Sequence, residues 1–428
     1  MADIHLDAAG SNTAPYDTWA KAATSFATAA AAATVAGDRI LMGSAYNESV
    51  ATVNLTLTNG VLLLSGTKDV TSGITALTAG SKISTTSFTY NINGSFYANG
   101  VTFESTSGSS HTIGFAKIAG NIAVLENCTT VHVGTGSSSG FQFGDSSAGV
   151  GYTTELRNHA FKCAHAGQKI TLGGSIRVIG GAWASGGTAP TTIFDPSYAS
   201  ARGFDVYVEG YDFSNISSSA NLMTAQGGAG AVFKNCTMPT GWTGAPIASG
   251  TVVAGQKVAM YGYKIGSTWY RTWTRDKLCD VTEENTIVKT GGSSDTAGYS
   301  LKMVTTATAA YPYAVACGPD LAVINTVTTG ALTATVDIAH SGGAALTDGE
   351  VWLEVVEPDG TVTTDAKTNV LTTAAAQTTS AATWGGSPTY KQKLEVSFTP
   401  TKAGPVLCRV RLAKASTTIY IDAMPGVA

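Results

Sequence analysis

Hydrophobic and polar residues follow one another along this chain in three rhythms. Over residues 12–37, Trp19, Ala22, Ala23, Phe26, Ala29, Ala30 and Ala33 recur at helical spacing, with Asn12 or Thr13 as a cap, Pro15 in the first turn and Gly37 past the end. The spacing predicts one helix over 12–37, with an apolar face mostly of Ala that suits a lid over the end of a sheet. From about 40 to 243 the rhythm shortens to β-prone runs of four to six residues, separated by Gly, Ser, Asn and Asp. From about 285 to 428 the apolar positions alternate. Leu332, Ala334, Val336 and Ile338 form one such face, followed by Val351, Leu353 and Val355, then Leu394, Val396 and Phe398, then Cys408, Val410 and Leu412, then Ile419 and Ile421.

The short runs of the middle segment share a form: a β-run, a Gly, Asn or His at a turn, then a second short strand. Phe96–Phe103, Ala123–Thr130, Glu155–Phe161, Arg177–Trp183, Val206–Phe213 and Val232–Met238 all fit it. Their turn residues fall at 100, 127, 159, 181, 210 and 235, at intervals that vary around a common length. An irregular repeat of this kind, made of strands only, is the mark of a solenoid whose loops vary while its coil does not. The segment is therefore expected to be a parallel β-helix, with small β-branched and hydroxyl residues filling its core and Asn or Gly at corners that need positive φ. Cys128 and Cys236 fall at the same place in the repeat, as members of an internal ladder.

Residues 244–284 read as connector hairpins with aromatics at alternating positions, among them Trp269, Tyr270 and Trp273. The period-two strands of 285–428, with turns such as Pro358-Asp-Gly360 between them, predict an antiparallel β-sandwich or jelly roll. The expected organisation is thus an N-terminal strand and capping helix (1–39), a parallel β-helix (40–243), the connector (244–284) and the sandwich (285–428).

Composition narrows the function. Of 428 residues 49 are Gly, 43% are hydrophobic, only 13% are charged and the net charge is −4, so the chain is too apolar for disorder and has no basic footprint for nucleic acid or an anionic membrane. No stretch approaches the roughly 18 apolar residues of a membrane span. The start lacks a secretory signal, so the expectation is synthesis in a host cytoplasm without membrane insertion. The six cysteines are widely spaced and read as free buried thiols rather than a zinc site. No cofactor motif is present, and no metal or cofactor is expected.

Candidate chemistry is sparse. Glycosidases on solenoids place two carboxylates about 5–9.5 Å apart. The candidates are Glu104 with Glu126, whose separation is close to one repeat and so suggests neighbouring coils, and Asp205, Glu209 and Asp212 in one strand-turn unit. A lyase would need Arg or Lys as base, for which Arg177 and Arg202 are nearest. Acidic residues on a solenoid's outer face ordinarily serve solvation. Trp269, Tyr270, Trp273, Trp384 and Tyr390 are the candidates for stacking on a sugar, although aromatics at such positions more often pack an interface. His159 and His165 lack a nearby carboxylate and read as structural.

Ile4-His-Leu-Asp-Ala-Ala-Gly-Ser, Tyr16-Asp-Thr-Trp19, the Ala-rich segment and Gly37-Asp-Arg-Ile-Leu-Met42 together resemble the beginning of right-handed parallel β-helix proteins of the pectate-lyase-like class. That class holds polysaccharide lyases and hydrolases, phage tailspikes, adhesins and non-enzymatic virion proteins, and this chain resembles the phage virion members most. Residues 291–303 are similar to the early strands of carbohydrate-binding-module-like jelly rolls. The resemblance implies a non-enzymatic homotrimer on the virion surface, a capsid decoration or head-spike protein, whose partners are its own copies, the major capsid protein or other virion proteins, and a host surface glycan. The alternative it implies is a tailspike-like protein that degrades polysaccharide or binds a receptor.

Overall fold

The computed structural model describes the chain apart from residues 87–88, 107–111, 119, 137–139, 145–151, 197–204, 225–229, 248–257, 276–278, 285–288, 291–299, 306–319, 327–329, 348, 358–368, 373–375, 401–402, 423–425 and 428. The turn at 358–360, Arg202 and most of 291–303 therefore lie outside the described residues. Nearly all regular structure is β, in two compact units, 1–271 and 272–428.

The first unit is built from parallel ladders, the arrangement expected of a parallel β-helix. One flank stacks Asp3–Leu6, Arg39–Gly43, Val61–Lys68, Phe96–Asn99, Ala123–Glu126, Tyr152–Lys162, Ser175–Trp183, Asp205–Glu209, Gly230–Lys234 and Val258–Ile265, each parallel to the next. A second flank runs through Asn47–Val50, Ser81–Thr85, Val101–Ser105 and Thr129–His132 into the later halves of Tyr152–Lys162 and Ser175–Trp183. Seven strands from Val53–Thr56 to Asn221–Met223 make the third.

The corner between the first two flanks explains the repeat seen in the sequence. Gly100, Asn127, Asn158, Gly180, Gly210, Asn235 and Gly262 all have φ between 46° and 73°. Their positions reproduce the turns read from the sequence, with the corner at 158 and 180 rather than 159 and 181, and they extend the series to Gly262. Asn and Gly tolerate this left-handed conformation, which costs other residues about 1–2 kcal/mol. Asn158 Nδ2 donates to Asn127 Oδ1 across one rung at 2.8 Å, and the cysteine after each of Asn127 and Asn235 turns inward and is buried.

Three expectations are corrected. The interior holds buried hydroxyls such as Ser81, Thr130 and Thr154, but its centre is filled by large rings: Phe103, Phe115, Phe141, Phe143, Phe161 and Trp183 are fully buried, with Phe115–Phe143 and Phe161–Trp183 stacked at 5.4 and 5.6 Å. Three-sided coils leave a central space that methyls and hydroxyls alone do not fill to native density. Residues 12–37 do not form one helix. A 3-10 turn at Trp19–Lys21 is capped by Thr18 and a seven-residue helix at Phe26–Ala32 by Ser25. Between them Ala23 bridges Leu6 in parallel, its N–H donating to His5 O at 2.8 Å. Trp19, Ala22, Ala23, Phe26, Ala29 and Ala33 are nonetheless the buried positions. Finally, Val258–Ile265 adds a parallel rung inside the segment expected to be connector.

The second unit is antiparallel. One sheet joins Cys279–Glu284, Ser300–Thr305, Thr418–Asp422, Leu332–His340, Tyr390–Phe398 and Ala376–Thr379. Another joins Asp320–Thr326, Gly404–Leu412, Val351–Glu357 and Asn369–Thr372. Strands of both contribute to one buried cluster, including Val336, Ile338, Leu353, Leu394, Val410 and Ile419. The alternating residues of the sequence supply it.

Two consequences of the coil are measurable. Asn235→Val should lower the thermal stability of the coil by about 1–2 kcal/mol, the left-handed penalty, while Asn235→Gly loses less than half of that; equal tolerance of both would contradict the corner geometry. His159 is wholly buried and its pKa is pushed down to about 3 by burial. Because the unfolded histidine takes up its proton near pH 6.5, stability falls as pH drops from 6.5 toward 3, by at most about 1.4 kcal/mol per pH unit. Thermal unfolding at pH 7 and 4.5 should show a smaller acid-induced loss in His159→Leu than in the native chain.

Candidate functional site

Outward-facing positions of the first flank are stacked into two columns by the parallel register. One runs Tyr97, Val124, Glu155, Arg177, Tyr207, Val232, Ala259, and the other Asn99, Glu126, Arg157, Ile179, Glu209, Lys234, Tyr261. Strand alternation sends both columns to the same side. Their side chains then meet two residues apart along a strand and one rung above and below, and the polar contacts of this flank run in both directions.

Two clusters result. In the first, Arg157 approaches Glu155 at 2.8 Å and Glu126 at 3.6 Å, the Tyr97 hydroxyl donates to Glu126 at 2.9 Å, and Asn99 Nδ2 donates to the Tyr97 oxygen at 2.9 Å. Burial, with the adjoining Glu126 carboxylate, raises the Tyr97 pKa and keeps its proton in place as a donor. In the second, the Tyr207 hydroxyl donates to Glu209 at 2.6 Å, and that hydrogen bond raises the Tyr207 pKa. Arg177 and Lys234 sit 5.9 and 5.8 Å from the Tyr207 ring centre, within cation–π range. Beside it a groove of about 400 Å³ is lined by Asp205, Tyr207, Val232, Ala259 and Tyr261.

The carboxylates singled out in the sequence are not brought together. Glu104 lies on the second flank, where it pairs with Lys82 at 2.9 Å and faces Ser84 and Val131 on the neighbouring coils. Glu126 faces Asn99 and Arg157, so the expected Glu104–Glu126 pairing across one coil is wrong. Their separation falls short of a full coil and places them on different flanks: one coil onward from Glu104 is Val131, and one coil back from Glu126 is Asn99. Glu126 and Glu209 share a column but are three rungs apart, about 14 Å at strand spacing, beyond the ~9.5 Å limit for a hydrolytic pair. Asp212 lies past the Gly210 corner, bridged to Ala182 and Thr237, with one oxygen taken by Ser214 N at 2.8 Å. The carboxylates one rung apart are Glu126 and Glu155, and Arg157 binds both. Glu155, Arg157, Tyr97 and Tyr207 were not singled out in the sequence, and the register is the signal that brings them together.

The aromatic candidates divide similarly. Trp269 is 58% exposed, with Lys264 Nζ 5.8 Å from its ring, and Tyr270 stacks on Tyr263 at 5.3 Å. Trp273 pairs through its backbone with Thr282, and its side chain lies outside the described residues. Trp384 is corrected as a sugar platform because it is only 5% exposed. Tyr390 is half-buried with one face stacked on His340 at 4.7 Å, and it lines a cavity of about 510 Å³ with Thr347, Ser380, Lys391 and Gln392.

His159 is held by Thr130 at 3.0 Å, while His165 accepts from Gly167 N at 3.0 Å, so the two make no joint site. Among the described residues no three His, Cys, Asp or Glu side chains converge on a metal position, and no helix is long and apolar enough to cross a membrane.

No family model matches the chain, and no curated protein matches it. Among solved structures it is similar to the enzymatically active domain of tailspike protein 4 of bacteriophage CBA120, at 10% identity and a TM-score of 0.18 over 94% of this chain and 67% of that one. A likeness at that level says nothing about activity, and the strand registers are what establish the parallel stack.

Proposed function

We propose that the chain is a structural protein of a phage particle, a homotrimeric capsid decoration or head-spike protein at the virion surface. In this reading the coil is right-handed, the Phe26–Ala32 helix caps it and the second unit is a jelly roll that meets other virion proteins or a host glycan. The observation that carries the reading is the dispersal of the flank's carboxylates. A polysaccharide-cleaving solenoid needs two of them free and within reach of one bond. Here Glu104, Glu126 and Glu155 each pair with a cation, and Glu126 and Glu209 are too far apart to act together. Paired charges and tyrosines suit a durable, neutral surface. The open strand edges at the end of such a stack need covering, which assembly into a trimer is proposed to supply.

A second reading, a tailspike-like protein that binds or degrades a surface polysaccharide, draws support from the groove between Tyr207 and Tyr261, since tyrosine faces suit pyranose rings. Labelled-antibody electron microscopy of intact particles separates the two. Decoration predicts label over the head, a trimer by sedimentation, and unchanged adsorption to cells when the protein is absent. Label at the tail, with adsorption lost in the double variant Tyr207→Ala, Tyr261→Ala, would overturn it in favour of the second reading.

A further inference from the structure

His5 lies on the first strand, Asp3–Leu6, and is wholly buried. Both nitrogens of its ring face backbone carbonyls: Nδ1 is 2.8 Å from Tyr16 O, and Nε2 is 2.6 Å from Ser72 O. A neutral imidazole carries one N–H and one lone pair, so it donates to one of the two oxygens at most. Its other nitrogen would then turn a lone pair on a carbonyl oxygen inside the protein, where an unmet polar group is costly. The doubly protonated ring donates to both. His340 shows the contrasting arrangement, in which Nδ1 accepts from Gly342 N at 3.3 Å while Nε2 donates to Gln392 Oε1 at 3.1 Å, and a neutral ring meets both partners.

The two carbonyls belong to separate segments that meet at Trp19. Residues 69–73 form a loop between Val61–Lys68 and its antiparallel partner Ile74–Leu77, and Val70 is fully exposed on it. Asp69 shapes the loop from within, accepting from Thr71 N and Ser72 N at 2.7 Å each. Three successive carbonyls tether the loop to the rest of the unit: Thr71 O accepts from Trp19 N, Ser72 O from His5 Nε2, and Gly73 O from Trp19 Nε1. Trp19 belongs to the segment whose Tyr16 carbonyl takes both His5 N and His5 Nδ1, and the His5 and Trp19 rings meet edge to face at 4.7 Å. Tyr16 has a φ of 60°, unusual for so large a side chain, and these two bonds hold its carbonyl in place. The charged side chains of the elements packed against the ring are Asp3, Asp7, Asp17, Lys21, Arg39, Lys68 and Asp69. Arg39 pairs with Asp3, Lys68 with Asp7 and Lys21 with Asp17. Hydrogen bonds from the Gly73, Thr71 and Ser72 backbone, and then the nearby His5 ring, hold the Asp69 carboxyl below its usual range, so the loop that His5 grips carries a negative charge.

We propose that His5 is a proton-operated latch: doubly protonated, it joins the 69–73 loop and the Tyr16–Trp19 segment to the first strand, and it lets them go as the pH rises. With both ring protons in place, Ser72 O and Tyr16 O each have a donor. When one proton leaves, one of the two carbonyls loses its donor and faces a lone pair instead. The loop's two other tethers both come from Trp19, on the segment that the same ring holds, so loop and segment loosen together. The sign is opposite to that of His159, whose burial favours the neutral ring and weakens the coil in acid. The His5 latch is complete in acid and opens toward alkaline pH.

Hydrogen exchange of the full chain at pH 5.5 and 8.5 tests this, read by mass spectrometry on peptides spanning 16–21 and 66–78 and corrected for the intrinsic effect of pH on exchange. Histidine is the side chain that ordinarily changes charge in this interval. The corrected protection of both peptides should fall together by about tenfold or more at pH 8.5, as the loss of a hydrogen bond to a charged group implies. The coil strand 175–183 should keep its protection. His5→Gln, which has no ring proton to lose, should show the same reduced protection of both peptides at the two pH values. Equal corrected protection of the native peptides at pH 5.5 and 8.5 overturns the latch whatever the variant does. A pH-dependent loss that persists undiminished in His5→Gln overturns the role given to His5.

Discussion

Each coil of the first unit must return to register with the coil below it, and every other property of that unit follows from this constraint. The return depends on a corner at which the backbone turns left-handed, and the seven corner residues with φ between 46° and 73° are all Asn or Gly. Loops between the flanks vary in length without disturbing the stack, because the corner resets the register on each pass. The inward positions then pile ring on ring, and the outward positions pile charge on charge. Phe115 over Phe143 and Phe161 over Trp183 belong to the first kind, and Glu126 beside Arg157 to the second.

The same constraint decides what chemistry the outer flank can support. Side chains in one column meet at intervals of about 4.8 Å, so a carboxylate finds its partner on the neighbouring rung or two residues along its own strand. Here those positions hold arginine, lysine or tyrosine. Arg157 between Glu126 and Glu155, and Tyr207 between Arg177, Lys234 and Glu209, are closed networks whose acids already hold their hydrogen-bond partners. A surface of this kind resists change in pH and salt better than isolated charges do, and it presents phenol rings and guanidinium planes at fixed spacing.

Much of the fold was legible in the sequence because it is written in local chemistry. Asn127, Asn235, Gly100 and Gly210 announce the corner by their tolerance of positive φ, and the alternating Val336, Ile338, Leu394 and Val396 announce the antiparallel sheets by period two. What was not legible depends on partners distant in the chain. Residues 12–37 have the right buried positions but the wrong backbone, since the hydrogen bond from Ala23 to His5 competes with helix formation and wins. Glu104 and Glu126 looked like neighbours because their separation is close to one repeat. Each coil carries several flanks of uneven length, however, and sequence distance alone does not say which flank a residue occupies. Trp384 was a candidate for stacking on a sugar, but its strand partner Lys289 belongs to an arm that begins much earlier in the chain, and the ring is buried there. The flank's polar clusters were invisible for the same reason. Tyr97, Glu155 and Arg157 are ordinary singly and become a cluster only through register.

Cysteine cross-linking measures that register most directly. In the double variant Glu126→Cys, Arg157→Cys the two sulfurs face each other across one rung, and mild oxidation should link them within the folded monomer, as adjacent strands permit. Glu126→Cys with Glu209→Cys, three rungs apart, and Glu104→Cys with Glu126→Cys, on different flanks, should stay reduced under the same conditions. Linkage of 104 to 126, with none between 126 and 157, would contradict the stack and the separation of the carboxylates that rests on it.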